Sequence, residues 1–264
     1  MKASERREKI LDELSMRNRV EVAELAELFD VSMETIRRDL ELLEKDKMIK
    51  KVHGGAVKPK TNKMEEYLFK ARIEDHTQDK KLIAKVAASY IKDGDVIALE
   101  SGSTVLAMVP YLRGKDITIV TNSIPVLNQI ISEKLDHLMK KLIVLGGEFN
   151  ERSLSTYGEL SFQMLDQIHI SKAFLSSQGF TVQDGLSNYS MRESLFARHL
   201  IGRSEKSYLL LDESKVNTNS FFTIVPAKQV DVIISTAPMP SGFSRHVPKT
   251  KWVFVENKNH KKTT

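Results

Sequence analysis

The sequence contains no cysteine, which excludes disulfides, thiolate nucleophiles and cysteine-ligated zinc. Its histidines, at positions 53, 76, 137, 169, 199, 246 and 260, never fall three to five residues apart, so no pair has metal-ligand spacing and no metal site is expected. Also missing are a Walker A loop, an HExxH helix and a GxSxG elbow. No apolar run approaches the roughly 20 residues that a spanning helix needs. The opening MKASERREKI alternates charges with single apolar residues, unlike a signal peptide. These absences lead to the expectation of a cytoplasmic, cofactor-free protein.

What is present is a chain of 264 residues, enough for one small domain and one of ordinary size. A hydrophobic share of 41% with 28% charged residues is that of a globular protein rather than a disordered one. The net charge of +5 says little by itself; its placement says more. Residues 1–60 hold 14 Lys and Arg against 13 Asp and Glu, yet residues 45–60 hold six lysines against the single acid Asp46. The positive charge is therefore local, and it follows a helical pattern.

Three helices are expected early. Ile10, Leu11 and Leu14 mark the first, roughly Ser4 to Met16; Val22, Leu25, Leu28 and Phe29 mark a short second one. Ile36, Leu40 and Leu43, at i, i+4 and i+7, mark a third from about Met33 to Lys45. The connection Phe29–Ser32 is tight: Val31 can plug the core, and Ser32 sits where an N-cap belongs. A short turn forces the two helices to cross steeply, as in a helix-turn-helix. With its apolar residues inward, the third helix presents Met33, Glu34, Thr35, Arg37, Arg38 and Glu41 outward. Thr35 offers a hydroxyl and a methyl, and each arginine can fork onto a guanine or grip a phosphate. A plain amphipathic helix with a solvated Arg-Arg-Asp face would look the same in isolation. The segment that follows tips the balance: Ile49 and Val52 suggest a strand, and Gly54-Gly55 permits a tight reversal beside His53. Lys50 and Lys51 on such a hairpin would lie along phosphates, where each contact releases counterions. A winged helix-turn-helix on double-stranded DNA is therefore expected over residues 1–57, with at least a homodimer, or a homotetramer, to match a two-fold operator.

The run from Val31 to Leu40 (VSMETIRRDL), followed by Leu43-Glu44 and His53-Gly54-Gly55-Ala56, resembles the signature of the DeoR family of sugar-regulon regulators. It departs from that signature at Lys47, where the family usually has glycine, and at Lys51, where arginine is usual.

Residues 58–76 read as a charged linker and residues 257–264 as a basic tail, leaving 77–256 as a second domain. There Leu82, Ile83, Val86, Ala87 and Ile91 form a helical face that stops at Asp93-Gly94. Apolar runs then alternate with helical stretches: Val96–Leu99, Ile117–Val120, Leu142–Leu145, Ala173–Leu175, Tyr208–Leu211, Val232–Ile234 and Trp252–Val255. Such runs suit strands buried on both faces, hence an α/β domain with a largely parallel sheet. Ligands of such sheets sit at the carboxyl ends of the strands. The residues found there are Glu100, Ser101, Gly102, Ser103 and Thr104; Thr121 and Asn122; Gly146 and Gly147; and Asp212 with Lys215. Singly they read as caps, turns and a solvated lysine; together they suit a polyhydroxylated anion.

The resemblance covers nearly the whole chain and implies more than this. It implies a second domain resembling ribose-5-phosphate isomerase in fold, and a phosphorylated sugar as effector. It implies a phosphate or sugar held by Ser101–Thr104, with Thr121, Asn122, Gly146, Gly147, Gly179, Glu193, Asp212 and Lys215 lining the remainder. Glu100 stands where the family usually has Asp and Ser103 where it has Thr; Ser171 and Thr236 replace usual aspartates. The function implied is a regulator, of the repressor type, for a carbohydrate operon. Two alternatives stand beside it: a sugar-phosphate isomerase using Glu193 or Asp212 as base and Lys215 as electrophile, and a DNA-binding protein whose second domain only oligomerises.

Overall fold

The computed structural model describes residues 1–59, 69, 71–135 and 139–257. Lys60, most of the expected linker, His137 and the tail beyond residue 257 lie outside the described residues. The chain divides into two compact units, Met1–Arg72 and Ile73–Thr264. No helix among the described residues is long and apolar enough to cross a membrane.

The first unit opens with α1 (Ala3–Arg17), whose Ile10, Leu11 and Leu14 are fully buried. Asn18 ends it in the left-handed region, its amide returning to the Leu14 carbonyl. A strand that the apolar pattern does not announce follows, β1 (Arg19–Glu21), because only Val20 of its three residues faces inward. Next come α2 (Val22–Phe29) and α3 (Met33–Lys45). In α2, Leu28 is 57% exposed rather than part of the core, which the helix draws instead from Val22, Leu25 and Ala26. The wing is β2 (Lys50–Val52) and β3 (Gly55–Val57), and β3 lies between β1 and β2 in an antiparallel sheet. Gly54 makes the turn at φ 78, and Gly55 lets β3 press onto β1: a Cβ there would sit 2.0 Å from the Val20 carbonyl oxygen.

Lys47, after α3, also lies in the left-handed region, at φ 59. A Cβ in that region costs on the order of 1 kcal/mol. Lys47→Gly is thus expected to stabilise the unit by about 1 kcal/mol; a urea midpoint that failed to rise would show an unstrained turn.

The second unit opens with α4 (Thr77–Ser89), which buries Ile83, Ala84, Ala87 and Ala88. This inward face lies one position on from the expected one, leaving Leu82 and Val86 half-buried, and the helix stops before Asp93-Gly94. Seven strands then build one sheet: β4 (Val96–Leu99), β5 (Thr118–Thr121), β6 (Lys141–Val144), β9 (Ile170–Leu175), β12 (Ser204–Leu211), β14 (Val232–Ser235) and β15 (Lys251–Phe254). Their order is β15-β14-β12-β9-β4-β5-β6, and every pairing is parallel. Each corresponds to an expected apolar run within a residue or so, except that β9 and β12 extend further toward their polar starts.

Among the described residues, five further α-helices accompany the sheet: α5 (Ser103–Leu106), α6 (Ile124–Ser132), α7 (Glu159–Asp166), α8 (Met191–Gly202) and α9 (Phe243–His246). Two small antiparallel additions were not legible in the sequence: a hairpin of β7 (Glu148–Asn150) and β8 (Ser155–Tyr157), and a sheet of β10 (Gly179–Thr181), β11 (Gly185–Asn188) and β13 (Phe222–Thr223). The core runs between the sheet and α8, where Leu175, Phe180, Phe196 and Leu209 are sealed from solvent. Each such side chain contributes roughly 1.5–3 kcal/mol relative to exposure.

Candidate DNA-facing helix and effector site

Local chemistry sets the start of α3. The Ser32 hydroxyl accepts from the Thr35 amide at 3.2 Å and pairs with the Thr35 hydroxyl at 2.9 Å. Ser32 and Met33 are exposed, whereas Thr35 is half-buried and its hydroxyl is already engaged. Glu34, Arg37, Arg38 and Glu41 then fall on one helical stripe. Glu34 lies 3.6 Å from Arg37 and 3.7 Å from Arg38. These are loose, exposed ion pairs that cost little to exchange for phosphate or base edges. The wing continues the stripe: Lys51 reaches Glu41 at 3.4 Å, and its amide donates to Glu44 at 2.8 Å. Lys50 and His53 are exposed, the latter at the tip of the turn.

Asp39 corrects the picture of a solvated Arg-Arg-Asp face. It is 4% exposed, and its Oδ2 accepts from the Arg6 Nε at 2.6 Å. Helix α3 is thus pinned to α1 by a buried ion pair, while Arg37 and Arg38 stay exposed.

In the second unit the parallel sheet gathers all its carboxyl ends on one edge. Leu99 is in register with both Phe174 and Thr121, and Thr121 with Val144, so the loops that follow begin side by side. Polar groups are buried there: Glu100, Thr104, Thr121, Asn122, Asp212 and Thr236 are each 6% exposed or less. Most are spoken for. The Thr121 hydroxyl donates to the Leu99 carbonyl at 2.7 Å, and Asn122 Nδ2 donates to the Thr156 carbonyl at 3.1 Å. Asp212 caps a 3₁₀ turn through the Ser214 amide at 3.1 Å, and Thr236 accepts from the Glu213 amide at 3.2 Å. Lys215, in that turn, is half-buried, and its ammonium has no ion-pair or hydrogen-bond partner among the described residues. Two oxygens are left over. Glu100 Oε2 and Asn122 Oδ1 are buried without a partner.

Tyr157 and Ser176 complete this corner, and sequence reasoning missed both. Tyr157, on β8, is 2% exposed and meets the Ser101 hydroxyl at 2.7 Å; the Ser176 amide donates to the Glu100 carboxyl. Glu193, in the first turn of α8, lies near enough to Glu100 and Tyr157 to oppose the ionisation of both. No local pattern marks Tyr157, because its role depends on a contact 56 residues away.

Other expected residues serve close packing or lie elsewhere. Gly147 (φ 145) exists for close approach, since a Cβ would lie 2.2 Å from the Tyr157 carbonyl oxygen. Gly179 is covered by the Thr218 carbonyl, 2.6 Å from where a Cβ would be. Gly146 is exposed, and Ser103 is half-buried at the start of α5. Ser171 lies near the opposite end of β9, where its hydroxyl bridges the Val96 amide (2.8 Å) and carbonyl (3.0 Å). The missing aspartate at that position therefore does not thin the carboxyl-edge site. Asp212 and Lys215 follow β12, two strands from β4, hence about 10 Å along the edge.

Burial, then the nearby Glu193, raises the Glu100 carboxyl well above the usual carboxylate range. An acid raised in this way contributes stability that is complete below its unfolded pKa and is lost as pH climbs through the folded value. Glu100→Gln should consequently gain on the parent protein as pH rises, by about 1–3 kcal/mol once the parent carboxyl ionises. Urea melts at pH 5 and pH 9 would test it; a gap independent of pH would show that Glu100 is solvated.

Residues 6–62 match the DeoR-like helix-turn-helix domain, and residues 75–237 match the DeoR C terminal sensor domain. The HTH-type transcriptional regulator YulB of Bacillus subtilis is 35% identical, over 89% of this chain and 89% of that one. The lactose phosphotransferase system repressor of Staphylococcus epidermidis is 33% identical, over 89% of this chain and 92% of that one. Among solved structures, ribose 5 phosphate isomerase A from Neisseria gonorrhoeae is 15% identical, with a TM-score of 0.38, over 53% of each chain. With both of its parts matched in order, the chain belongs to the DeoR family of helix-turn-helix transcriptional regulators.

Proposed function

We propose that the protein is a cytoplasmic repressor of a carbohydrate transport or catabolism operon, and that a phosphorylated sugar bound at the carboxyl edge of the sheet sets its affinity for the operator. One observation carries the effector half of this reading: two buried oxygens, Glu100 Oε2 and Asn122 Oδ1, lie at neighbouring strand ends with nothing to bond. An unsatisfied buried polar group costs about 1–3 kcal/mol, which a ligand's hydrogen-bond donors would recover. The half-buried Lys215 ammonium is suited to the phosphate. On the DNA side, Ser32, Met33, Thr35, Arg37 and Arg38 would meet base edges and phosphates, with Lys50, Lys51 and His53 along the backbone. Residues 1–57 serve as the reader, 58–76 as the linker and 77–256 as the sensor, in a dimer or tetramer matched to a two-fold operator. The ligand acts only through a difference in affinity between DNA-competent and DNA-incompetent states.

A thermal-shift screen of pentose and hexose phosphates tests the sensor. A ligand at a hundred times its Kd adds about 2.7 kcal/mol, roughly 5–10 °C for a domain of this size. Absence of any shift would leave the second domain as an oligomerisation platform, and turnover of a sugar phosphate would make it an isomerase. Lys215→Ala is expected to keep operator affinity and lose the response to the effector; a fully responsive variant would remove Lys215 from the site.

A further inference from the structure

The acceptor character of the Glu100 corner narrows the ligand, on the reading that this edge is the effector site. Asn122 cannot exchange its two ends, because its amide nitrogen is committed to the Thr156 carbonyl; the oxygen is the end left without a partner. One residue past the Leu99–Thr121 register pair, Glu100 and Asn122 are neighbours on adjacent parallel strands. Two nearby sets of hydroxyls are engaged: the Thr121 hydroxyl goes to the Leu99 carbonyl, and the Ser101 and Tyr157 hydroxyls share one hydrogen bond. Asn122 Oδ1 is an acceptor, and Glu100, which burial and the charge of Glu193 hold in its protonated form, becomes one when a cation arrives to share the negative charge of the two acids.

A hydroxyl can bond one of these oxygens but brings no charge, so the buried acids stay uncompensated. An ammonium brings three donors and no acceptor, and its hydrogen bonds to a carboxylate are roughly twice as strong as neutral ones. We propose that the effector is an amino sugar phosphate, with its ammonium seated between Glu100 Oε2 and Asn122 Oδ1 and its phosphate toward Lys215.

Titration calorimetry on the full chain would compare glucosamine 6-phosphate with glucose 6-phosphate, galactosamine 6-phosphate with galactose 6-phosphate, and each amine with its N-acetyl form. In at least one pair the amine should bind about tenfold more tightly than the hydroxyl compound, and N-acetylation should remove the advantage. Glu100→Gln should erase the tenfold difference, bringing the amine and the hydroxyl compound to a common, weaker affinity. Asn122→Ala should do the same and serves as the second variant if the first does not fold. Equal or tighter binding of the hydroxyl sugar would overturn the ammonium while leaving the sugar-phosphate site standing. If no compound of either series binds, the effector site falls, and the ammonium with it.

Discussion

Arg6→Ala is expected to cost the N-terminal unit about 3–5 kcal/mol, because it strands the Asp39 carboxylate in the space between α1 and α3. Side chains at 10% and 5% exposure leave little water to take over the lost hydrogen bond. Small domains are stable by only about 5–15 kcal/mol, so much of the population would unfold under mild stress and operator binding would fall with it. Effector-induced stabilisation of the second unit should persist. The diagnostic control is Arg6→Leu combined with Asp39→Leu. Replacing both charges by apolar groups removes the stranded ion and should restore most of the stability. Urea denaturation of the three proteins decides the matter: a loss under 1 kcal/mol in Arg6→Ala would show a pair that water reaches, and an unrescued double variant would point to packing instead.

Removing both outward guanidinium groups, Arg37→Ala with Arg38→Ala, should weaken operator binding by about 2–6 kcal/mol, at about 1–3 kcal/mol for each arginine that reads a base. The two share Glu34, so the single losses will not simply add. Lys50→Ala and Lys51→Ala should behave differently, weakening operator and unrelated DNA alike. Each lost phosphate contact lowers the salt slope by about 0.9. Lys50 should matter more than Lys51, which gives up its pairing with Glu41 when it turns to a phosphate. Fluorescence anisotropy at several salt concentrations separates the two classes. Arginine losses that were equal on operator and unrelated DNA would mean that neither guanidinium reads sequence.

Much of the fold was legible because its signals are local. The bounds of α3 followed from a serine cap and apolar residues at i, i+4 and i+7, and the seven sheet strands from continuous apolar runs, though the edge strands β6 and β15 are only half-buried. The additions at the rim were hidden for the converse reason. β7, β8, β10 and β13 are two or three residues long and partly polar, and are held by their partners rather than by their own periodicity. Asp39 looked solvated beside two arginines because its partner lies 33 residues away. At the carboxyl edge the residue types were readable, but not their commitments: that Thr121 is spent on a carbonyl and Glu100 Oε2 on nothing depends on neighbours brought in by the fold. Ser171 shows the same limit in reverse, a substitution that looked like a change of pocket but lies near the other end of its strand.

The most direct measurement is the operator affinity of the full chain, by anisotropy, with and without a sugar phosphate that stabilises it. A relay between sensor and reader requires that the saturating ligand weaken operator binding, by about 1–3 kcal/mol or five- to 150-fold, with Lys215→Ala abolishing the change. A ligand that binds and stabilises the protein yet leaves the operator Kd where it was would contradict it.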